Sequence, residues 1–162
     1  MLIYREFKTP FAPLTVIVDD DKQELKRSGF FEAEKILKKE YSGIKVISAK
    51  KLLNVNEALE AWLDKDLNAL SKVVANQPGS EFQQSCFAAM KNVVAGKTIS
   101  YQELAAQSIS PKAVRAAASC CANNQLAPFV PCHRIIRNSG EIGNYAFGKA
   151  VKLALLVHEG AI

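Results

Sequence analysis

The residues most able to do chemistry in this chain are Pro131-Cys132-His133-Arg134. A cysteine attacks as its thiolate, and a free thiol with a pKa of about 8.5 is only a few per cent ionised at neutral pH. An imidazole and a guanidinium beside it would favour the anion. The apolar run Leu126 to Val130 ahead of the cysteine reads as a buried strand. Adjacent side chains of a strand face opposite ways. Contact between Cys132 and His133 therefore needs a bend, which Pro131 helps provide, or a bridging water. On residue types alone, a buried structural cysteine is still the heavier of the two readings.

The other cysteines, Cys86, Cys120 and Cys121, follow neither zinc-knuckle nor disulfide spacing, and His133 and His158 flank no cysteine pair. No metal site is expected. Free thiols point to a reducing compartment, cytoplasmic, or nuclear in a eukaryote. The amino terminus has no basic and apolar leader pattern, and no apolar run approaches membrane-spanning length. Residues 1–77 hold 13 Lys/Arg against 12 Asp/Glu, whereas residues 78–162 hold 8 against 4. The positive excess lies in the half that carries Cys132, a weak sign of a polyanionic partner.

Positioning these residues requires a scaffold, and the turn-rich Asn76-Gln77-Pro78-Gly79-Ser80 is the best boundary. The expected fold class is α/β (α+β): a small α/β domain over 1–77, then a mostly helical domain over 78–162. In the first, Leu14 to Val18 reads as a strand that Lys22 to Phe31 pairs with. Glu32 to Tyr41 reads as helix and Ile44 to Ile47 as a β-prone run. A helix over Val55 to Val74 places Leu59, Trp62, Leu63, Leu67 and Leu70 on one face. In the second, Ser80 caps a helix whose Phe82, Cys86, Phe87, Met90 and Val94 face a core. Ser100-Tyr101-Gln102-Glu103 is a capping box. Ser110-Pro111 signals a further start, with a helix from Pro111 to Ala122. Two helices so closely spaced make a helix-turn-helix. The second bears small residues and one large charged one, Arg115; a smooth face suits either close helix packing or a DNA groove. Cys120 and Cys121, being adjacent, are poorly placed to bridge each other and read as small helix residues.

The segment Pro131-Cys132-His133-Arg134-Ile135-Ile136 resembles the active-site motif of the O6-alkylguanine-DNA alkyltransferases. Further matches follow in that family's order over about residues 79–160: Ser100-Tyr101, Pro111 to Ala116, Asn124, Gly143-Asn144-Tyr145, Lys152 and Leu155 to Gly160. The amino-terminal half resembles the family only in length and broad α/β character. The resemblance implies a ribonuclease-H-like first domain and a winged-helix-like second one. It implies irreversible transfer of an alkyl group from O6-alkylguanine, and from O4-alkylthymine, in double-stranded DNA. Each protein molecule would act once, without metal or organic cofactor. Nothing in the sequence suggests an obligate oligomer or protein partner, so a monomer is expected.

By that resemblance Cys132 is the nucleophile, His133 its base through water, and Glu159 orients His133. Tyr101 donates to the leaving base and Asn124 is a hinge. Arg115 fills the stack left by the flipped nucleotide, with Ser100, Tyr101, Pro111, Ala113, Ala116, Ala117 and Arg134 also facing DNA. Tyr145, Ala146, Phe147, Val130 and Pro131 form the base pocket. The family's glycine-rich stretch is here Tyr145-Ala146-Phe147-Gly148, and Phe147 is expected to narrow the pocket towards methyl over benzyl. Two other readings remain: a damage binder without catalysis, which the presence of Cys132 disfavours, and a helix-turn-helix regulator sensing oxidants.

Overall fold

The computed structural model describes every residue, Met1–Ile162. The chain divides into two compact units. One comprises Met1–Gln77 with Gln125–Phe129, and the other Pro78–Asn124 with Val130–Ile162. The five residues Gln125–Phe129 thus belong with the first unit, although the chain on either side of them belongs to the second.

The first unit is built on a four-stranded sheet. β1 (Leu2–Phe7), β2 (Leu14–Asp19), β3 (Glu24–Gly29) and β4 (Val46–Ser48) lie in the order β3-β2-β1-β4. β1 and β3 run antiparallel to β2, and β4 runs parallel to β1. Leu14, Val16, Ile17 and Val18 are all fully buried, as a central strand covered on both faces requires. The helices are α1 (Ala33–Glu40) and α2 (Val55–Leu63), followed by a short 3₁₀ turn at Ala69–Lys72.

The single helix expected over Val55 to Val74 therefore stops early. Lys65 adopts φ +76°, its amide donates to Trp62 O, and the Asp66 amide reaches Ala61 O at 2.9 Å. This is a left-handed helix stop. Ser28 and Leu126 form a bridge within the unit, and the Ser28 amide donates to Gln125 O. The expected strand Leu126 to Val130 contributes only that bridge; most of it is turn.

The second unit is mostly helical. It contains α3 (Glu81–Lys91), β5 (Ile99–Ser100), α4 (Tyr101–Ala106), α5 (Val114–Ala122), a 3₁₀ turn at Cys132–Arg134, β6 (Ile135–Ile136) and α6 (Lys149–His158). Capping boxes start two of the helices: Ser80 with Gln83 opens α3 and Ser100 with Glu103 opens α4. Ser110-Pro111 does not cap a helix. The Ala113 amide bonds Ser110 O in a turn, and α5 begins at Val114 with no side-chain cap. Its buried face is Ala117 and Cys120, while Arg115, Ala116 and Ser119 are exposed. In α3, Phe87, Met90 and Cys86 are buried, but Val94 beyond the helix is 58% exposed and Val93 takes the inner position instead.

Candidate functional site

Cys132 sits where three pieces of chain converge. Its 3₁₀ turn leads into β6, which pairs in parallel with β5 immediately before Tyr101. Asn124, just past α5, donates from Nδ2 to Val130 O at 2.7 Å. These links set the Cys132 turn, the start of α4 and the end of α5 in one register. The turn also supplies the bend that a regular strand would lack: Cys132 and His133 lie on successive residues of a tight turn, both buried.

The imidazole of His133 is fully enclosed. Its Nε2 lies 2.8 Å from Glu159 Oε1, and its Nδ1 has no partner in the protein. Nε2 then carries the proton towards the carboxylate, and Nδ1 presents a lone pair. Burial holds the imidazole below its ordinary 6.5, against the pull of Glu159. His133 is therefore neutral near pH 7, the form of a base.

Glu159 is held from both ends. Arg134 donates to it through Nε at 2.9 Å and through the second terminal nitrogen at 2.6 Å, and its remaining terminal nitrogen bonds Val93 O at 2.7 Å. Burial would raise the carboxyl, but hydrogen bonds from Arg134 and His133 outweigh it and bring it down to about 2. Helix α6 ends here by local chemistry. Gly160 takes φ +74°, its amide bonds Val157 O, and the Ala161 amide bonds Leu156 O. A second glycine, Gly96, has φ +87°, and a Cβ there would lie 3.1 Å from the Glu159 carbonyl oxygen. Chain approach at this point requires the missing side chain.

A cavity of about 410 Å³ opens beside Cys132. Its wall includes Tyr101, Tyr145, Ala146, Asn144 and Arg137, with Ala118, Cys121 and Ala122 from α5. Burial pushes the Cys132 thiol up, opposed by a hydrogen bond from Asn124 and the charge of Lys152. Lys152 is itself fully buried, donating to Ile135 O at 2.6 Å and Asn144 O at 3.2 Å, with its Nζ 5.7 Å from the centre of the Tyr101 ring. Burial lowers it to about 8. The Tyr101 phenol is pushed up to about 12, chiefly by burial, so it stays a donor. The buried hydroxyl of Tyr145 has no partner in the protein.

Several expected site residues lie elsewhere. Arg134 is 7% exposed and committed to Glu159 and Val93, so it does not face a DNA surface. Ala117 is fully buried and faces inward. Phe147, Val130 and Pro131 are not part of the cavity wall. Phe147 packs on Tyr145, their rings edge to face at 5.2 Å. Arg115, Pro111 and Ala116 are exposed, and Ser100, Tyr101 and Ala113 are half-buried.

Arg137, which the sequence does not single out, and Cys121, read there as a small helix residue, both line the cavity. Arg137 is three residues beyond the buried arginine and carries no motif of its own. Cys121 differs from Cys120 only by the turn of a helix that α5's boundaries decide. No group of three or more His, Cys, Asp or Glu side chains gathers as a metal site.

The model of the 6-O-methylguanine DNA methyltransferase DNA-binding domain matches residues 81–161. The methylated-DNA–protein-cysteine methyltransferase of Methanosarcina acetivorans is 31% identical over 160 residues, 99% of each chain. The bifunctional transcriptional activator/DNA repair enzyme Ada of Escherichia coli is 46% identical over 81 residues. That match covers 50% of this chain but only 23% of Ada. Among solved structures, Mycobacterium tuberculosis OGT in complex with DNA superposes with a TM-score of 0.78 at 27% identity, covering 98% of this chain and 92% of that one.

A thiol borders a cavity of about 410 Å³, and the next residue carries a buried imidazole bonded to a buried carboxylate. The chain belongs to the O6-methylguanine DNA methyltransferase family.

Proposed function

We propose that this chain repairs double-stranded DNA by taking the alkyl group of O6-alkylguanine, and of O4-alkylthymine, onto Cys132. The observation that carries the reading is His133: a buried, neutral imidazole bonded to Glu159, its Nδ1 without a partner, one residue after a cysteine that borders a cavity of about 410 Å³. Nδ1 takes the thiol proton through a water, giving the thiolate. The sulfur attacks the alkyl carbon in line; the carbon–sulfur bond forms as the carbon–oxygen bond breaks. The electron pair leaves with the guanine, and the Tyr101 hydroxyl donates to the ring nitrogen where charge collects. Asn124 and Lys152 favour the thiolate that burial opposes. A thioether has no ready leaving reaction, so each molecule acts once.

The O6 atom is stacked inside a duplex, and reaching it requires the nucleotide to be extruded at a cost of a few kcal/mol. Exposed Arg115 on α5 is the residue suited to enter the vacated stack, and the small exposed Ala116 lets the helix come close. Tyr145 offers the extruded base a hydroxyl that nothing in the protein satisfies. First-unit residues 1–77 serve as scaffold and residues from 78 onward as the acceptor domain, working as a monomer in a reducing compartment where thiols persist.

The test is intact-protein mass after incubation with a duplex holding one O6-methylguanine, beside Cys132→Ala. One added methylene in the wild type alone supports the reading. Duplex binding without any added mass would move it to a damage sensor.

A further inference from the structure

Of the nine residues lining the cavity beside Cys132, Arg137 alone bears a full charge. Its side chain is 51% exposed, so it stands at the mouth rather than in the depth. Its stem passes close to Gly143: a Cβ there would lie 3.4 Å from Arg137 Cγ and equally close to the Tyr101 hydroxyl. The stem thus rests on glycine backbone, with the phenol alongside. The same side chain borders a second depression of about 360 Å³, lined by polar groups including Thr98, Ser100, Gln102 and Asn138.

The charged neighbours leave the guanidinium available. Glu141 approaches only to 3.9 Å, beyond hydrogen-bond distance. Glu103, also at the second depression, is taken up by the Ser100 amide at 2.7 Å. Lys152 is enclosed and bonded to two carbonyls. A base entering the cavity leaves its sugar and phosphate at the mouth, where a planar fork of donors matches phosphate oxygens.

Building on the proposed repair reaction, we propose that Arg137 grips a phosphate flanking the extruded nucleotide and so holds that nucleotide in the open position. It is a positioning residue: the grip acts on the DNA backbone, with the base and the reacting carbon left to the other residues of the cavity wall. Arg115 and Arg137 divide the work, one filling the stack and the other retaining what left it.

The experiment is a double-mutant cycle between Arg137→Met and an uncharged methylphosphonate at each linkage beside an O6-methylguanine. Two readouts run in parallel: the alkyl-transfer rate of the Cys132-bearing protein, and the duplex affinity of Cys132→Ser. At one of the two linkages, each change alone should weaken the wild-type value about tenfold, and the two together should cost no more than one. Arg137→Lys should recover part of the loss, and Arg137→Met should lower the salt slope of affinity by about one phosphate contact. Additive losses at both linkages, or an unchanged salt slope, would overturn the assignment. The affinity readout needs no chemistry, so absence of alkyl transfer in the wild type would count against the repair reaction and leave this cycle to be judged on binding.

Discussion

His133 gives its Nε2 to Glu159 at 2.8 Å and leaves Nδ1 buried with no partner. A buried nitrogen without a hydrogen bond is costly unless a guest or a water uses it. The arrangement suits the base role proposed for His133, and its titration can be followed. Burial depresses the imidazole below 6.5, so the neutral form persists below that value and protonation sets in only lower still. The wild-type transfer rate should hold through neutrality and fall once pH drops beneath the depressed value. His133→Gln should lose about 10²–10⁴-fold at pH 7 and recover with rising pH as the thiol ionises unaided. Identical pH profiles for the two proteins would remove the base role from His133.

Glu159 makes a prediction about acid stability. Its carboxyl is lowered from 4.5 to about 2. A depressed carboxylate stabilises the fold fully above its unfolded pKa and loses that contribution as pH falls through the folded one. The share amounts to about 3 kcal/mol. Denaturant unfolding of wild type and Glu159→Gln should differ by about that much at pH 7 and converge between pH 4.5 and 2. A constant difference across that window would mean that packing, not ionisation, carries the effect.

Arg134 separates stability from DNA contact. Arg134→Met leaves the Glu159 carboxylate buried without its guanidinium, which should cost about 3–5 kcal/mol. The salt dependence of duplex binding by the protein that stays folded should match the wild type, because the guanidinium meets Glu159 and Val93 O rather than solvent. A reduced salt slope would return Arg134 to the DNA face.

Arg115 should matter only where a stack exists. Arg115→Ala should slow transfer from a duplex on the order of ten- to a hundredfold, and leave transfer from the same lesion in a single strand nearly unchanged. Equal losses on both would assign Arg115 to general charge attraction.

Substitution at Gly96 tests how the carboxylate is placed. Gly96→Ala meets both a φ of +87° and a Cβ 3.1 Å from the Glu159 carbonyl oxygen. Its unfolding free energy should fall by about 1 kcal/mol or more, with transfer slowed as the end of α6 shifts. Wild-type stability would show that the neighbouring chain yields freely.

The local signals in the sequence were read where side chains bond their own neighbours. Ser100 and Glu103 meet three residues apart, and both bonds of their capping box are present. Cys132 and His133 stand out by their types and adjacency, whereas the pairing of His133 with Glu159 is implied only by the resemblance, since no local rule links residues so far apart. Arg134 was misplaced because arginines are mostly exposed, and only the fold brings it to Glu159. Ser110-Pro111 carried a true start signal, but the chain used it for a turn three residues before α5. β1 was missed because its strand alternation is unclean: Ile3 is buried, yet Leu2, Tyr4 and Arg5 are all half-buried. Phe147 is expected in the pocket only through the resemblance, whereas its ring packs edge to face on Tyr145 and does not line the cavity.

The five residues Gln125–Phe129 belong to the first unit but are encoded after α5. They leave the second unit at Asn124 and return at Val130, and one hydrogen bond between those two residues closes the neck of the excursion. Leu126 and Ala127 are fully buried and Phe129 nearly so. On the ribosome, amino-terminal domains ordinarily finish before the next begins, at about 5–20 residues per second. Here the amino-terminal unit has to wait for residue 129 before its last apolar segment arrives. Its completion and the emergence of the Cys132 turn a few residues later are therefore nearly the same event in synthesis, and a ribosome that stalls before that point leaves both halves of the protein unfinished.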